Sequence, residues 1–391
     1  MKIVFWIALF IVFYTYIGYG ILLYIIIRLK RLFVGRPHEA VLPADEELPT
    51  MTLMICAYNE EDIVKEKMAN TLALDYPKDK FRIMWVTDGS NDHTNELLAA
   101  YPEVDIVFSP ERRGKTAALK HGLRELKTRY VAFTDANTMI NTGALREIAR
   151  LFSDPTVGCV SGEKRVAARK AGEMASEGEG LYWRYESTLK RWDSELYSAM
   201  GAAGELYAID PQLCREVPDE ALLDDFMLSM YVVQAGKRIA YTSDAYAREY
   251  GSANIYEESK RKRRIAAGGL QSIWWLRSML NPLRQPLVTF QYVSHRVLRW
   301  SITPVAMVLL LIVNIALVAM GAGTFYTVML ILQTLFYLMA LAGWLTNRFG
   351  YKNKLLYTAY YFMFMNFNVF RGMAYLRSHG KSGAWEKAKR S

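Results

Sequence analysis

Uncharged, predominantly apolar positions run unbroken from residue 3 to residue 27, opening Ile-Val-Phe-Trp-Ile-Ala-Leu-Phe and closing at Ile27. A helix of about 20 such residues crosses the hydrocarbon of a bilayer. The run is too long for a signal peptide, and no small-residue cleavage site follows it. Arg28, Lys30, Arg31 and Arg36 come next, and basic flanks mark the cytoplasmic end of a span. Residues 1–36 are therefore expected to be a transmembrane anchor with its basic flank, and the chain beyond them to be cytoplasmic. Further apolar runs lie at about 301–320 and 325–346, with a less clean one at 355–376 that Asn366, Asn368 and Arg371 interrupt. Three crossings there would leave the basic tail, Lys381 to Arg390, outside, against the charge rule. The last crossing stays open.

Between these runs the pattern changes. Short apolar stretches at 51–56, 81–87, 104–108 and 130–134 alternate with helical periodicity at 60–72, 91–100, 114–127 and 142–152. That alternation predicts βαβ units and a mostly parallel, Rossmann-like sheet with helices on both faces. From 155 onward the pattern predicts a strand at 157–160, a long helix at 173–198, a loop running into a strand at 201–209, and a helix at 224–235. A basic helix at 255–267 is expected to stop at Gly268-Gly269. The two prolines, Trp274, Trp275, Arg277 and Arg284 make 271–298 look interfacial. The domain plan is a cytoplasmic α/β domain at 37–270, interfacial helices at 271–298, a membrane region at 299–378 and a basic tail at 379–391.

The chain has 391 residues and a formal charge of +9. Much of the excess sits beside the apolar runs, at 28–36, 260–264 and 381–390, where anionic headgroups explain it. No nucleic-acid partner is expected. Cys56, Cys159 and Cys214 form neither a disulfide framework nor a metal-ligand spacing. The five histidines (38, 93, 121, 295 and 379) show no metal spacing either.

Polar residues cluster where strands end. Ala57-Tyr58-Asn59-Glu60 follows the first strand, Asp88 closes the second, Asp135 stands in Phe-Thr-Asp-Ala-Asn, and Asp224-Asp225 opens a helix. Ligands of open α/β sheets bind at the carboxyl edge of the strands, so a metal, a diphosphate and a catalytic base can all be served there. Each residue also has a plainer reading: Asn59 as a helix cap, Asp88 and Asp135 as turn residues, the acid pair as first-turn charges. Gly114-Lys115 heads a helix after Arg112 and Arg113, where a lysine opposes the dipole unless an anion is near; solvated surface charge is the other reading. Arg261 and Arg264 are three apart on one helix face and suit bidentate contact with a diphosphate.

The ordered set Ala-Tyr-Asn-Glu, Thr-Asp-Gly-Ser, Gly-Lys-Thr-Ala-Ala-Leu, Thr-Asp-Ala-Asn, Gly-Ala-Ala-Gly-Glu-Leu-Tyr-Ala, Asp-Asp and a basic helix resembles family 2 glycosyltransferases. The likeness is to the membrane-bound branch of cellulose, hyaluronan and poly-N-acetylglucosamine synthases, over about residues 50–270. It implies a GT-A type fold carrying N- and C-terminal transmembrane helices. It implies donor contacts from Ala57, Tyr58, Asn59, Glu60, Asp88, Lys115, Asp135, Arg261 and Arg264, with Gly201 and Gly204 on the acceptor side. Asp135 and Asn137 stand at the family's Asp-x-Asp motif, so Mg²⁺ or Mn²⁺ is implied, bound with one carboxylate fewer. Asp225 takes the place of the general base and Asp224 that of its neighbour. Ile265 replaces the tryptophan of the Gln-x-x-Arg-Trp motif, which weakens the case for processivity.

The implied activity is inverting transfer from a UDP-sugar to a growing polysaccharide at the inner (plasma) membrane, by a multi-pass protein with a homo-oligomeric or export partner. Single addition to a lipid-linked saccharide is the alternative. An inactive membrane scaffold is the alternative of another class, against which the retained Asp88, Asp135 and Asp225 speak.

Overall fold

The computed structural model describes residues 1–35, 40–167, 174–250, 255–349, 351 and 353–379. Arg36, His38, the first residue of the expected 173–198 helix and the basic tail from 380 lie outside the described residues, as do the side chains of 167–182, 255 and 379. One sheet of eight strands forms the catalytic-sized domain, in the order β3-β2-β1-β4-β7-β6-β8-β5. Its parallel part is β1 (Met51–Ala57), β2 (Phe81–Asp88), β3 (Val104–Ser109) and β4 (Tyr130–Asp135). β5 is Met139–Ile140, β6 Val157–Ala167, β7 Tyr207–Ile209 and β8 Arg238–Tyr250. β7 runs antiparallel between β4 and β6, and β6 is parallel to β8. The mostly parallel α/β architecture matches the expectation.

Alternation within each central strand builds two cores. Leu53, Ile55, Ile83, Trp85 and Ala132 face one layer, made by α2 (Val64–Leu72), α3 (Thr94–Ala99) and α5 (Ala144–Phe152). Met54, Met84, Val86, Val131 and Phe133 face the other, with α4 (Lys115–Arg124), α7 (Asp224–Gln234) and residues 288–300. Strands buried on both faces are the rule for parallel sheets. The parallel strands all run one way, so Ala57, Asp88 and Asp135 emerge at one edge.

Beyond the sheet, α6 (Met174–Leu196) and α8 (Ile255–Trp275) connect to the apolar helices. Three helices among the described residues are long and apolar enough to cross a membrane: α1 (Lys2–Phe33), α9 (Pro286–Ala319) and α10 (Thr324–Arg348). α11 (Lys354–His379) packs on α8 instead of presenting a uniform apolar face. Asn368 accepts from Ser259 at 3.0 Å, and Arg371 donates to the same hydroxyl at 2.6 Å. Asn368 and Arg371, two of the polar residues that break the last apolar run, therefore face the basic helix, while Asn366 accepts from the Tyr16 hydroxyl of α1.

Two local expectations change. α8 does not stop at Gly268-Gly269 but continues to Trp275. A Cβ on Gly268 would stand 2.6 Å from the Leu223 side chain, and one on Gly269 2.5 Å from the Trp300 ring. These glycines serve close packing inside a helix, not its termination. Residues 286–298, expected as part of an interfacial segment, instead open α9, with Pro286 in its first turn where a missing N–H is harmless.

Candidate active site

The carboxyl edges of β1, β2 and β4 border a cleft of about 620 Å³. Ala57, Tyr58, Glu60 and Asp88 line its sheet side, and Arg112 stacks 4.0 Å over the Tyr58 ring. Asp88 is buried and turned onto the backbone. Its carboxylate accepts from the amides of Arg113 at 3.0 Å and Gly114 at 2.6 Å. The aspartate thereby fixes the loop that delivers Lys115. Gly89 makes this possible, since at φ +67° a Cβ would lie 2.6 Å from the Arg112 nitrogen.

Asn59 is not among the residues lining the cleft and does not cap a helix, because α2 starts only at Val64. It adopts a left-handed φ of 52° and exchanges hydrogen bonds with Asn91 at 2.7 and 3.0 Å. It therefore ties the end of β1 to the end of β2.

Asp135 ends β4 and Asn137 sits in the turn after it, both lining the cleft. Lys115 Nζ lies 2.7 Å from Asp135 Oδ1. Burial opposes the lysine charge, but Asp135 and then Asp224 outweigh it and raise its pKa. Below the turn Lys67 is fully buried. It donates to the Thr138 carbonyl at 2.6 Å and to Thr134 Oγ1 at 3.1 Å. Burial pushes its amine down to about 7, with Asp135 pulling the other way. Thr138 Oγ1 in turn donates to the Asp135 carbonyl at 2.9 Å. No group of three or more His, Cys, Asp or Glu side chains among the described residues has metal-site geometry. The fit is of another kind. Asp135 Oδ2 and the Asn137 amide oxygen accept no hydrogen bond among the described residues, and two protein oxygens plus a substrate diphosphate are a usual Mg²⁺ or Mn²⁺ environment.

Across the cleft α7 begins with Asp224 and Asp225. Asp224 is buried, and its Oδ2 has no hydrogen-bond partner among the described residues. Asp225 Oδ1 accepts from the Phe226 amide at 2.8 Å. Burial, then the charge of Asp224, push the Asp225 carboxyl up to about 6 against the pull of Lys115. Gly201 and Gly204 press on this helix start. At φ +94° a Cβ on Gly201 would lie 2.2 Å from the Phe226 ring, and one on Gly204 3.0 Å from Asp225 Oδ2. Gly204 lines the cleft; Gly201 lies behind it.

Residues 52–209 match the sequence profile of glycosyl transferase family 2. The chain carries a family 2 glycosyltransferase domain. A poly-beta-1,6-N-acetyl-D-glucosamine synthase of Staphylococcus aureus (strain MSSA476) is 35% identical over 125 residues, which is 31% of this chain and 30% of the synthase. A beta-monoglucosyldiacylglycerol synthase of Synechocystis sp. is 25% identical over 259 residues, 62% of this chain and 53% of the relative. The chain thus matches about a third of the first relative's length and about half of the second's. A mannosyltransferase from Pyrobaculum calidifontis, solved with GDP-Man and Mn²⁺, superposes with a TM-score of 0.69 at 22% identity, covering 97% of this chain and all of that one. The likeness in fold thus takes in the apolar helices as well as the sheet domain.

Beyond the matched residues, the two arginines of the basic helix separate. Arg261 is buried and paired with Glu205 at 3.3 Å. Arg264 lines the cleft with no carboxylate or hydrogen-bond partner among the described residues, and its buried Nε is orphaned. Burial and the neighbouring Arg261 lower its pKa, against the pull of Asp224, Asp135 and Asp225. The motif pattern leaves several residues unmarked. Glu205 holds Lys164 at 2.6 Å as well as Arg261, and Lys164 also pairs with Glu249. Burial opposes ionisation of Glu205, yet Lys164 and Arg261 hold its carboxyl well below the usual range. Glu205 follows Gly204 directly, so the Gly-Ala-Ala-Gly-Glu segment was a signal for it; nothing in the sequence singles out Lys164 or Glu249.

Proposed function

We propose that this protein is an inverting, divalent-metal-dependent glycosyltransferase that takes a sugar from a UDP-sugar at the membrane surface. The observation that carries the reading is the pairing across one cleft of a half-buried carboxylate at a helix start, Asp225, with an arginine that has no anion partner among the described residues, Arg264. An acceptor hydroxyl gives its proton to Asp225 as its oxygen bonds to the anomeric carbon. The bond from that carbon to the diphosphate breaks on the opposite side, and the configuration inverts. Negative charge grows on the departing nucleotide, where Arg264 and Lys115 meet it. A divalent ion on Asp135 and Asn137 would add Lewis-acid neutralisation of the same charge. Tyr58, Glu60 and the loop fixed by Asp88 line the nucleotide end.

Kinship with the poly-beta-1,6-N-acetyl-D-glucosamine synthase supports a growing polysaccharide as acceptor. A second reading, single addition to a lipid-linked saccharide, is favoured by one observation: the cleft extends to Tyr16 of α1 and to Phe362 and Met365 of α11. The name of the Synechocystis relative, a diacylglycerol glycoside synthase, agrees with it. Helices α1, α9 and α10 support residence in the plasma membrane, and the basic end of α1 favours a cytoplasmic catalytic domain. An oligomeric or export partner goes with the polymer reading alone.

The test is nucleotide release by the full-length protein in lipid nanodiscs, across UDP- and GDP-sugars with Mg²⁺ or Mn²⁺, beside Asp225→Asn. One UDP-sugar turned over by the wild type and not by the variant supports the reading. Turnover that survives in the variant, or a preference for GDP-sugars, sinks the base or the donor assignment respectively. Product sizing then separates polymer from single addition.

A further inference from the structure

The cleft does not end at Asp225. It continues between α6 and the membrane helices as far as Tyr16, Phe362, Met365 and Val369. Tyr16 lies where α1 changes neighbours. Tyr19, Leu23 and Ile27 pack on Leu189 of α6, whereas Phe5 and Ala8 pack on Ala306, Leu310 and Leu317 of α9. The far end of the cleft therefore opens where the catalytic domain gives way to lipid-facing helices.

One face of α6 supplies the charged wall of this extension, through Glu186 and Lys190. Lys190 is only 4% exposed, yet it has neither an ion pair nor a hydrogen bond among the described residues. Burying an ammonium without a paired counter-ion is costly, and burial, then Arg296, push this one down to about 8 against the more distant pull of Glu186, Glu205 and Asp225. Opposite it, Arg296 and Arg299 both use Glu186, at 2.7 and 2.9 Å. Glu186 also receives His295 at 3.3 Å, while the other ring nitrogen of His295 faces Asp193 at 2.5 Å. Two permanent cations thus share one carboxylate, with Lys190 buried beside them. The next acid, Glu205, is already shared by Lys164 and Arg261. The donor diphosphate has its own cations, Lys115 and Arg264, at the sheet edge. Between the catalytic base and an apolar exit, Lys190 is thus a buried cation with no carboxylate of its own among the described residues.

We propose that Lys190, backed by Arg296 and Arg299, binds the phosphate through which a membrane-borne lipid carries the acceptor saccharide, the sugar hydroxyl facing Asp225 and the lipid chain leaving the cleft past Tyr16, Phe362 and Met365. The inference rests on the glycosyltransferase reading above and gives its lipid-linked form a chemical class. An acidic soluble sugar would satisfy the cations but leave the apolar exit without a purpose. A neutral glycolipid would do the reverse. A lipid phosphate uses both.

The experiment is a binding titration of the full-length protein in phosphatidylcholine nanodiscs, with empty nanodiscs subtracted. The probes are farnesyl phosphate, farnesol and inorganic phosphate, and UDP is titrated into the same preparation. The wild type is expected to hold farnesyl phosphate at least tenfold more tightly than either of the other two. Lys190→Gln should lose that preference and Lys190→Arg keep most of it. The wild-type comparison stands whether or not the variants fold. Equal affinity for farnesyl phosphate and farnesol overturns the phosphate site, and equal affinity for inorganic phosphate overturns the lipid part. A preference that survives in a folded Lys190→Gln overturns the assignment to Lys190. With UDP bound, any of these failures strikes this inference alone; if UDP does not bind, the transferase reading beneath it falls.

Discussion

Gly204 stands so close to Asp225 that a Cβ on the glycine would lie 3.0 Å from the carboxylate oxygen Oδ2. The missing side chain is therefore what leaves room for the base. A methyl there forces the carboxylate to move by a few tenths of an ångström or to lose access to its substrate. Misplacement on this scale is costly in catalysis, so Gly204→Ala is expected to lower kcat by about tenfold or more with little change in donor KM. Gly201→Ala meets both a left-handed φ and the Phe226 ring at 2.2 Å, and should instead destabilise the fold, by about 1–3 kcal/mol. Steady-state kinetics and thermal melting separate the two. An equally fast Gly204→Ala enzyme would show that the glycine does not serve Asp225.

The raised carboxyl of Asp225 sets a pH dependence. The base must be ionised, so kcat/KM is expected to fall about tenfold per pH unit once the pH drops below about 6. Stability runs the other way. A carboxyl whose pKa is higher folded than unfolded favours the fold while protonated, and that contribution disappears as the pH rises through 6. Asp225→Asn should thus melt higher than the wild type at pH 7.5 while losing about 10²–10⁴ in rate. A variant that melts lower would contradict the buried-charge account.

Asn137 offers an oxygen without charge where a second carboxylate would bind a divalent ion more strongly. Asn137→Asp is expected to lower the half-saturating Mn²⁺ concentration about tenfold or more, provided that Asp135 is intact. Metal titrations of the activity, or of Mn²⁺ binding by electron spin resonance, read this directly. No change in metal affinity would place the ion elsewhere.

The two arginines of α8 should fail differently. Arg264 has no anion partner among the described residues, so Arg264→Gln is expected to raise the donor KM and to leave the melting temperature nearly unchanged. Arg261 is buried against Glu205 at 3.3 Å, and Arg261→Gln leaves buried charge less well compensated, at a cost of about 3 kcal/mol. Parallel kinetics and melting curves give the contrast, and identical behaviour of both variants would erase the distinction between them.

Much of this protein was legible along the chain because the governing physics is local. The alternation in Leu53-Met54-Ile55 and Ile83-Met84-Trp85-Val86 marks strands buried on both faces, and one direction for those strands puts Asp88 and Asp135 at one edge. The uncharged run before Arg28 needs only its own length to predict a span. β8 escaped because its buried positions include the alanines Ala240, Ala245 and Ala247 and the polar Thr242 and Glu249, which leave little apolar alternation to detect. Gly268-Gly269 misled for a related reason: glycine ends helices and also lets them touch, and only Leu223 and Trp300 decide between these uses.

What the sequence determined by itself is the sheet, the spans and the set of acids and bases in the cleft. Which of those charges are spoken for was decided by the tertiary structure alone. Glu205 finds Lys164 and Arg261 from 41 and 56 residues away. Arg264, one turn of helix beyond Arg261, has no anion partner among the described residues, and Lys190 is buried beside Arg296 without one. The neutralisation of a buried charge depends on distance in space and on exclusion of water, and neither quantity is written in the order of residues.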